Sequence, residues 1–211
     1  MRLAVFGATG ATGTQLVSQA LDRGHQVVAL ARRPDDVRIR HPRLSVVRGD
    51  VVVPGAADPV VDGTDAALSA LGIGYHRHAT TVYSAGTGNI LAAMDRAHVS
   101  RLLVVSTSSL RPPDPGRPAE WLLTRLLLRP ILRRPYADMV LMEQGVRQSG
   151  IDWTLVRAAR LTNGHGERAY RTAVDGTLPG CWSISRADLA SYLLDSVLDP
   201  DSCHATVEIA Y

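Results

Sequence analysis

Short apolar runs alternate along this chain with longer stretches in which apolar residues recur at helical spacing. The runs at residues 3–6, 27–31, 44–47, 65–71, 102–106 and 153–156 read as buried strands. Residues 12–23, 80–97 and 136–148 carry the helical period between them, and Gly24 closes the first of these helices. Ser185-Arg186-Ala187-Asp188 is a capping signal for a last helix reaching residue 197, and residues 205–209 form a short final strand. Strands alternating with helices predict an α/β fold, a mostly parallel twisted sheet with helices on both faces, and 211 residues suit a single domain. Residues 111–135 break the rhythm with six prolines and many arginines. Pro130 argues for a short or kinked helix there, and long irregular segments of this kind often serve as lids over a substrate.

Gly7-Ala8-Thr9-Gly10-Ala11-Thr12-Gly13 follows the first strand and opens the first helix. Glycine permits a sharp turn and a close backbone approach, and the free amides at a helix start favour negative charge. In this context the loop predicts a dinucleotide pyrophosphate site formed by Gly7, Thr9, Gly10, Ala11 and Thr12. Cofactor choice is written where the second strand ends. An acid there would hold the ribose 2′-hydroxyl of NAD, but the chain reads Ala31-Arg32-Arg33-Pro34, with no acid before Asp35. Two guanidiniums at that point suit a 2′-phosphate, so Arg32 and Arg33 favour NADP(H). Gly49-Asp50-Val51, after the third strand, places Asp50 and Val51 near the adenine or, equally, at a turn cap. Leu71 and Gly72 join the cofactor set, and Gly72, Ile73 and Gly74 are expected as neighbours of the nicotinamide or the substrate, because ligands of such sheets bind beyond the carboxyl ends of the strands.

Composition sharpens this in one respect. All 23 basic residues are arginine, so Schiff-base chemistry, a phosphate-loop lysine and a Tyr-Lys catalytic pair are excluded. The net charge of +3 and pI near 9.2 reflect arginine bias rather than a nucleic-acid surface. Cys181 and Cys203 fit no metal spacing and no disulfide framework, His76-Arg77-His78 lacks acidic or thiol neighbours, and no metal is expected. The first strand runs directly into the glycine loop and leaves no room for a cleavable signal, and no apolar run is long enough to span a membrane. A cytoplasmic protein, monomeric or a small homo-oligomer, acting on a small molecule is the expectation.

The glycine loop, Ala31-Arg32, Gly49-Asp50-Val51, Ser69-Ala70-Leu71-Gly72, Asn89-Ile90, Ser106-Thr107-Ser108, Ser149-Gly150 and Ile184-Ser185-Arg186-Ala187-Asp188-Leu189 fall in the order seen in the atypical short-chain dehydrogenases. Within them the chain resembles the NAD(P)H-binding, NmrA-like group typified by flavin reductase, also called biliverdin reductase B. That resemblance covers nearly the whole length. It implies one Rossmann-like domain that delivers hydride from NADPH to a planar acceptor such as a flavin, a linear tetrapyrrole or a quinone. It also implies that Ser108, at the end of the fifth strand, faces nicotinamide and substrate. The group's histidine after the sixth strand is replaced by Arg160, which cannot shuttle protons near neutral pH but can hold a carboxylate, phosphate or enolate oxygen. This departure turns the expectation from biliverdin toward an anionic or carbonyl-bearing substrate, such as a flavin, a quinone-like compound or a conjugated carbonyl. A nonenzymatic NADP-binding sensor and an NADP-dependent isomerase or epimerase are the alternatives.

Overall fold

The computed structural model describes residues 1–74, 78–110, 129–166, 169–180 and 182–211. Its elements in chain order are β1 (Arg2–Phe6), α1 (Ala11–Asp22), β2 (Gln26–Ala31), β3 (Leu44–Arg48), α2 (Asp58–Val61), β4 (Ala66–Ser69), α3 (Ser84–Ala97) and β5 (Arg101–Thr107). There follow α4 (Arg129–Gln148), β6 (Asp152–Ala158), β7 (Arg160–Thr162), β8 (Arg171–Val174), β9 (Ser183–Ser185), α5 (Arg186–Asp195) and β10 (Ala205–Ala210). Eight strands form one sheet in the order β3-β2-β1-β4-β5-β6-β10-β8, parallel except for β8 against β10, and β7 pairs in parallel with β9 in a separate ribbon. This is the Rossmann-like arrangement expected. The chain crosses from β3 to β4 over β2 and β1, so the crevice between the β1 and β4 ends is the topological switch point.

Alternation along the strands builds two cores. Leu3, Val5, Ala29, Leu68 and Val156 face α1 and α5, while Ala4, Phe6, Leu30, Ala67 and Leu155 face α2, α3 and α4. With both faces covered, the central strands read as unbroken apolar runs.

Several boundaries differ from the sequence reading. The fourth strand stops at Ser69 rather than residue 71, at the point where its ladder with β1 ends at Phe6. Leu71 and Gly72 are thereby freed into a loop. The third helix starts at Ser84, where Asp138 of α4 accepts hydrogen bonds from the Tyr83 amide (2.9 Å) and from the Ser84 hydroxyl. A tertiary carboxylate sets that boundary, so local sequence carries no trace of it. α4 begins at Arg129, seven residues before the expected 136. Pro130 lies in its first turn, where no N–H is required, and Pro135 is accommodated inside the helix. The expected lid at 111–135 lies outside the described residues as far as 128; its remainder is the start of α4. β7, β8, β9 and α2, of three or four residues each, are too short to show a period.

One buried charge cluster ties α4 to the sheet. Glu143, 3% exposed, accepts from the Ser106 hydroxyl of β5 at 2.7 Å, from Arg157 of β6 at 2.9 and 2.6 Å, and from Arg147 at 3.0 Å. Burial alone would raise the Glu143 pKa. The hydrogen bonds from Arg157, Ser106 and Arg147 and the charge of Arg157 outweigh it, and the carboxyl is held below its ordinary value. Its stabilising contribution is therefore complete above the ordinary value of 4.5 and is lost as pH falls through the lowered folded value. Glu143→Gln leaves two guanidiniums without a counter-charge and should cost about 3 kcal/mol at pH 7. Urea denaturation across acid pH should show the gap between wild type and variant closing below pH 4.5.

Candidate active site and cofactor cradle

Packing dictates two of the three glycines in the first loop. Gly7 has φ +86°, and a Cβ there would lie 2.4 Å from the Ala70 carbonyl oxygen. A Cβ on Gly13 would lie 2.1 Å from the Gly7 carbonyl oxygen, so α1 can rest on the loop only without a side chain at that position. Gly10 is different: a Cβ there meets nothing closer than the Gly7 oxygen at 3.3 Å. Gly10 is exposed, in extended conformation, and caps α1 without any side-chain hydrogen bond. The first helical bond runs from the Thr14 amide to the Gly10 carbonyl (2.8 Å), so the amides of Ala11, Thr12 and Gly13 precede it. No acidic residue occupies the first turn to compete for these donors. The cradle fits a pyrophosphate. Thr9 and Ala11 are exposed beside it, whereas the Thr12 side chain is buried, leaving only its amide to offer. Sequence reading missed Thr14, whose hydroxyl donates to the Ala8 and Gly10 carbonyls and fixes the loop's shape.

At the end of β2 the predicted arginine pair divides. Arg33 donates to Asp36 at 2.7 Å, with its side chain 79% exposed. Arg32 is exposed, and no ion pair or hydrogen bond of its side chain is recorded among the described residues. Of the two guanidiniums, one is open to a phosphate and the other already has a carboxylate partner.

The next loop is held from α3. The Asn89 amide donates to the Val51 carbonyl at 2.8 Å, and the absence of a side chain at Gly86 lets α3 approach Val51 and Leu71. Val51 is buried in the core that faces α2, α3 and α4. Asp50 accepts from the Val52 amide at 3.3 Å, the turn-capping alternative, while remaining half-exposed at the rim. Gly72 is exposed with open space where a Cβ would stand. Beyond it the Ile73 amide donates to the Tyr83 hydroxyl at 3.3 Å. Burial, with Asp138 and Tyr136 nearby, raises the Tyr83 pKa against the opposing effect of the Ile73 amide, so the phenol stays neutral and serves as an anchor for this loop.

The residues expected at the reacting end follow β5 and β6. Thr107 pairs with Ala158, so Ser108 and the Ala159-Arg160 step leave neighbouring strands side by side at the carboxyl edge. Ser108 opens a short 3₁₀ turn and is half-buried; Arg160 is exposed, with no side-chain partner recorded among the described residues. His76 and Arg77 lie outside the described residues. Among the described residues no helix is long and apolar enough to cross a membrane.

The family model for NAD(P)H-binding proteins matches residues 7–200, and the chain belongs to that family. It is 31% identical over 153 residues to the (4-alkanoyl-5-oxo-2,5-dihydrofuran-3-yl)methyl phosphate reductase of Streptomyces griseus, a match covering 72% of this chain and 45% of that protein. It is 35% identical over 120 residues to a 3β-hydroxysteroid dehydrogenase/Δ5→4-isomerase of Mycobacterium tuberculosis, covering 52% of this chain. The chain spans about a third of that dehydrogenase's length, 32%. The anaerobillin reductase ChuY of Escherichia coli O157:H7 shares the fold at a TM-score of 0.81, with 17% identity over 100% of this chain and 97% of that one. The resemblance to the atypical short-chain dehydrogenases therefore holds, and the cofactor class is NAD(P)H.

Gly13→Ala should lower the melting temperature and abolish cofactor binding together, because backbone must move to admit the methyl. Gly10→Ala should keep the fold within about 0.5 kcal/mol while weakening NADPH binding. Fluorescence titration with NADPH beside thermal melts distinguishes the two.

Proposed function

We propose that this chain is an NADPH-dependent reductase that transfers hydride to a small planar, electron-poor acceptor: a flavin, a quinone-like compound or a conjugated carbonyl. The observation that carries the reading is the juxtaposition at one sheet edge of an open pyrophosphate cradle, the unpartnered Arg32, and Ser108 beside Arg160. When bound, NADPH supplies the hydride. The amides of Ala11, Thr12 and Gly13 hold its pyrophosphate, and Arg32 holds the 2′-phosphate. Ser108 donates a hydrogen bond to the acceptor atom that gains negative charge, and solvent replaces the proton that atom takes. Arg160 keeps its charge throughout and fixes an anionic substituent. With no lysine in the chain, alcohol–ketone chemistry through a Tyr-Lys pair is closed to it. An acceptor that needs little acid assistance is what this site serves. The Streptomyces relative's name describes a conjugated lactone bearing a phosphate, which supports both halves of the reading.

The word isomerase in the mycobacterial relative's name supports a second reading, in which substrate rearranges without net cofactor oxidation. Absorbance at 340 nm with FMN, a naphthoquinone and an α,β-unsaturated lactone decides between them. Steady loss of NADPH is expected with at least one acceptor. Tight NADPH binding without loss on any of them sinks the reductase reading. Ser108→Ala should lower kcat by about 10- to 100-fold with the KM for NADPH unchanged.

Arg32→Ala should raise the KM for NADPH about 10-fold or more and leave that for NADH alone, as expected for one charge-assisted phosphate contact. Asp36→Asn should shift preference further toward NADPH by freeing Arg33. Equal effects on both cofactors would show that neither residue reads the 2′-phosphate.

A further inference from the structure

We propose that Trp182 is the stacking platform of the acceptor subsite, which takes a planar conjugated molecule carrying an anionic group held by Arg160. This rests on the reductase reading above and names the contacts that would select its acceptor.

Trp182 is the one exposed aromatic side chain among the described residues, 68% exposed, while Phe6 and Trp153 are buried and the described tyrosines are buried or half-buried. An exposed indole offers a flat apolar face on which a planar conjugated ring can stack. Its backbone is pinned on both sides. Upstream, the Leu178 amide donates to the buried Glu208 carboxylate at 2.8 Å, and Arg171 donates to the Pro179 carbonyl at 3.1 Å and the Tyr211 carbonyl at 2.7 Å. Gly180, at φ +70°, then turns the chain. Downstream, the Tyr211 amide donates to the Ser183 carbonyl at 3.0 Å, and Ile184 is fully buried. Trp182 thus lies close to backbone anchored at residues 178–179 and at Ser183.

Its position in the fold supplies the rest. Ser183 pairs directly with Arg160 in the β7–β9 ribbon, and Arg160 follows the strand whose neighbour ends at Thr107, one residue before Ser108. The indole, the guanidinium and the hydroxyl are carried by adjoining backbone at one edge. The ribbon's second cation, Arg186, donates to the neutral Asn163 side chain at 2.6 Å, and no carboxylate partner is recorded for either arginine among the described residues. A planar ring with a carboxylate or phosphate substituent matches a flat apolar surface beside unneutralised guanidinium charge.

FMN and riboflavin, which share a ring system and differ by the phosphate, test this by equilibrium binding to the NADP⁺-saturated protein, where no turnover is needed. Trp182→Ala should weaken both flavins about 10-fold or more, and Trp182→Phe should restore much of the loss. Arg160→Ala should weaken FMN by a similar factor and leave riboflavin unchanged. Melting temperature and NADP⁺ affinity should hold in all three variants. Flavin binding within twofold of wild type in Trp182→Ala overturns the proposal, as does a wild-type protein that binds neither flavin. Trp182-dependent binding without turnover would instead sink the reductase reading and leave the subsite standing.

Discussion

Everything on the cofactor side depends on how closely α1 can approach the end of β1. Gly13 has no side chain where one would come within 2.1 Å of the Gly7 carbonyl oxygen, and Gly7 itself turns with φ +86° against the Ala70 carbonyl. These two contacts are backbone on backbone and cannot be relieved by a rotamer change. They set the height of the helix start relative to the sheet, and with it the place where three free amides gather. Gly10 is under no such packing constraint. Its bareness leaves space on the solvent side, which is where a ligand must come. The loop thus separates into glycines that the protein needs for itself and one that it needs for its cofactor.

The acceptor side depends on α4. Asp138 caps the start of α3, which in turn holds the Asp50-Val51 loop through Asn89 and the Ile73 loop through the Tyr83 hydroxyl. About one and a half turns further along the same helix, Glu143 binds Ser106 of β5 and Arg157 of β6, just below the positions from which Ser108 and Arg160 depart. One helix therefore registers the adenine-side loops and the reacting edge against each other. Both carboxylates are almost fully buried, and an unpaired charge there would be costly, so the strands and helices are held in the single arrangement that satisfies them.

The parts legible in the sequence are those written in local pattern. The buried strands announced themselves as apolar runs, the Ser185–Asp188 cap as a spacing, and the glycine loop as a motif in context. What escaped was tertiary. Asp138 is an unremarked acid in an amphipathic helix, and nothing within several residues says that it will set the start of another helix 54 positions away. The burial of Val51 was not legible in the Gly49-Asp50-Val51 loop, because it is decided by Gly86 on a distant element. The β7–β9 ribbon, three residues a side, has no period to detect, and so Trp182 had no strand to be placed on. Arg32 and Arg33 looked equivalent as neighbours in sequence. A three-residue turn brings Asp36 back onto one of them and makes them chemically distinct.

The all-arginine composition has consequences at each of these places that differ in kind. At Glu143 the planar guanidinium of Arg157 gives two hydrogen bonds to one carboxylate, a geometry that a lysine ammonium could not supply. At Arg32 and Arg160, in the proposed reading, the same group serves as an anchor and never as an acid. On that reading proton supply comes from solvent through a hydroxyl, which suits acceptors whose reduced form is already stabilised by conjugation. The exposed indole proposed to stack the acceptor would select for the same property by shape. In the proposed reading, electron demand, charge and planarity thus converge on one class of acceptor from three separate features of the chain.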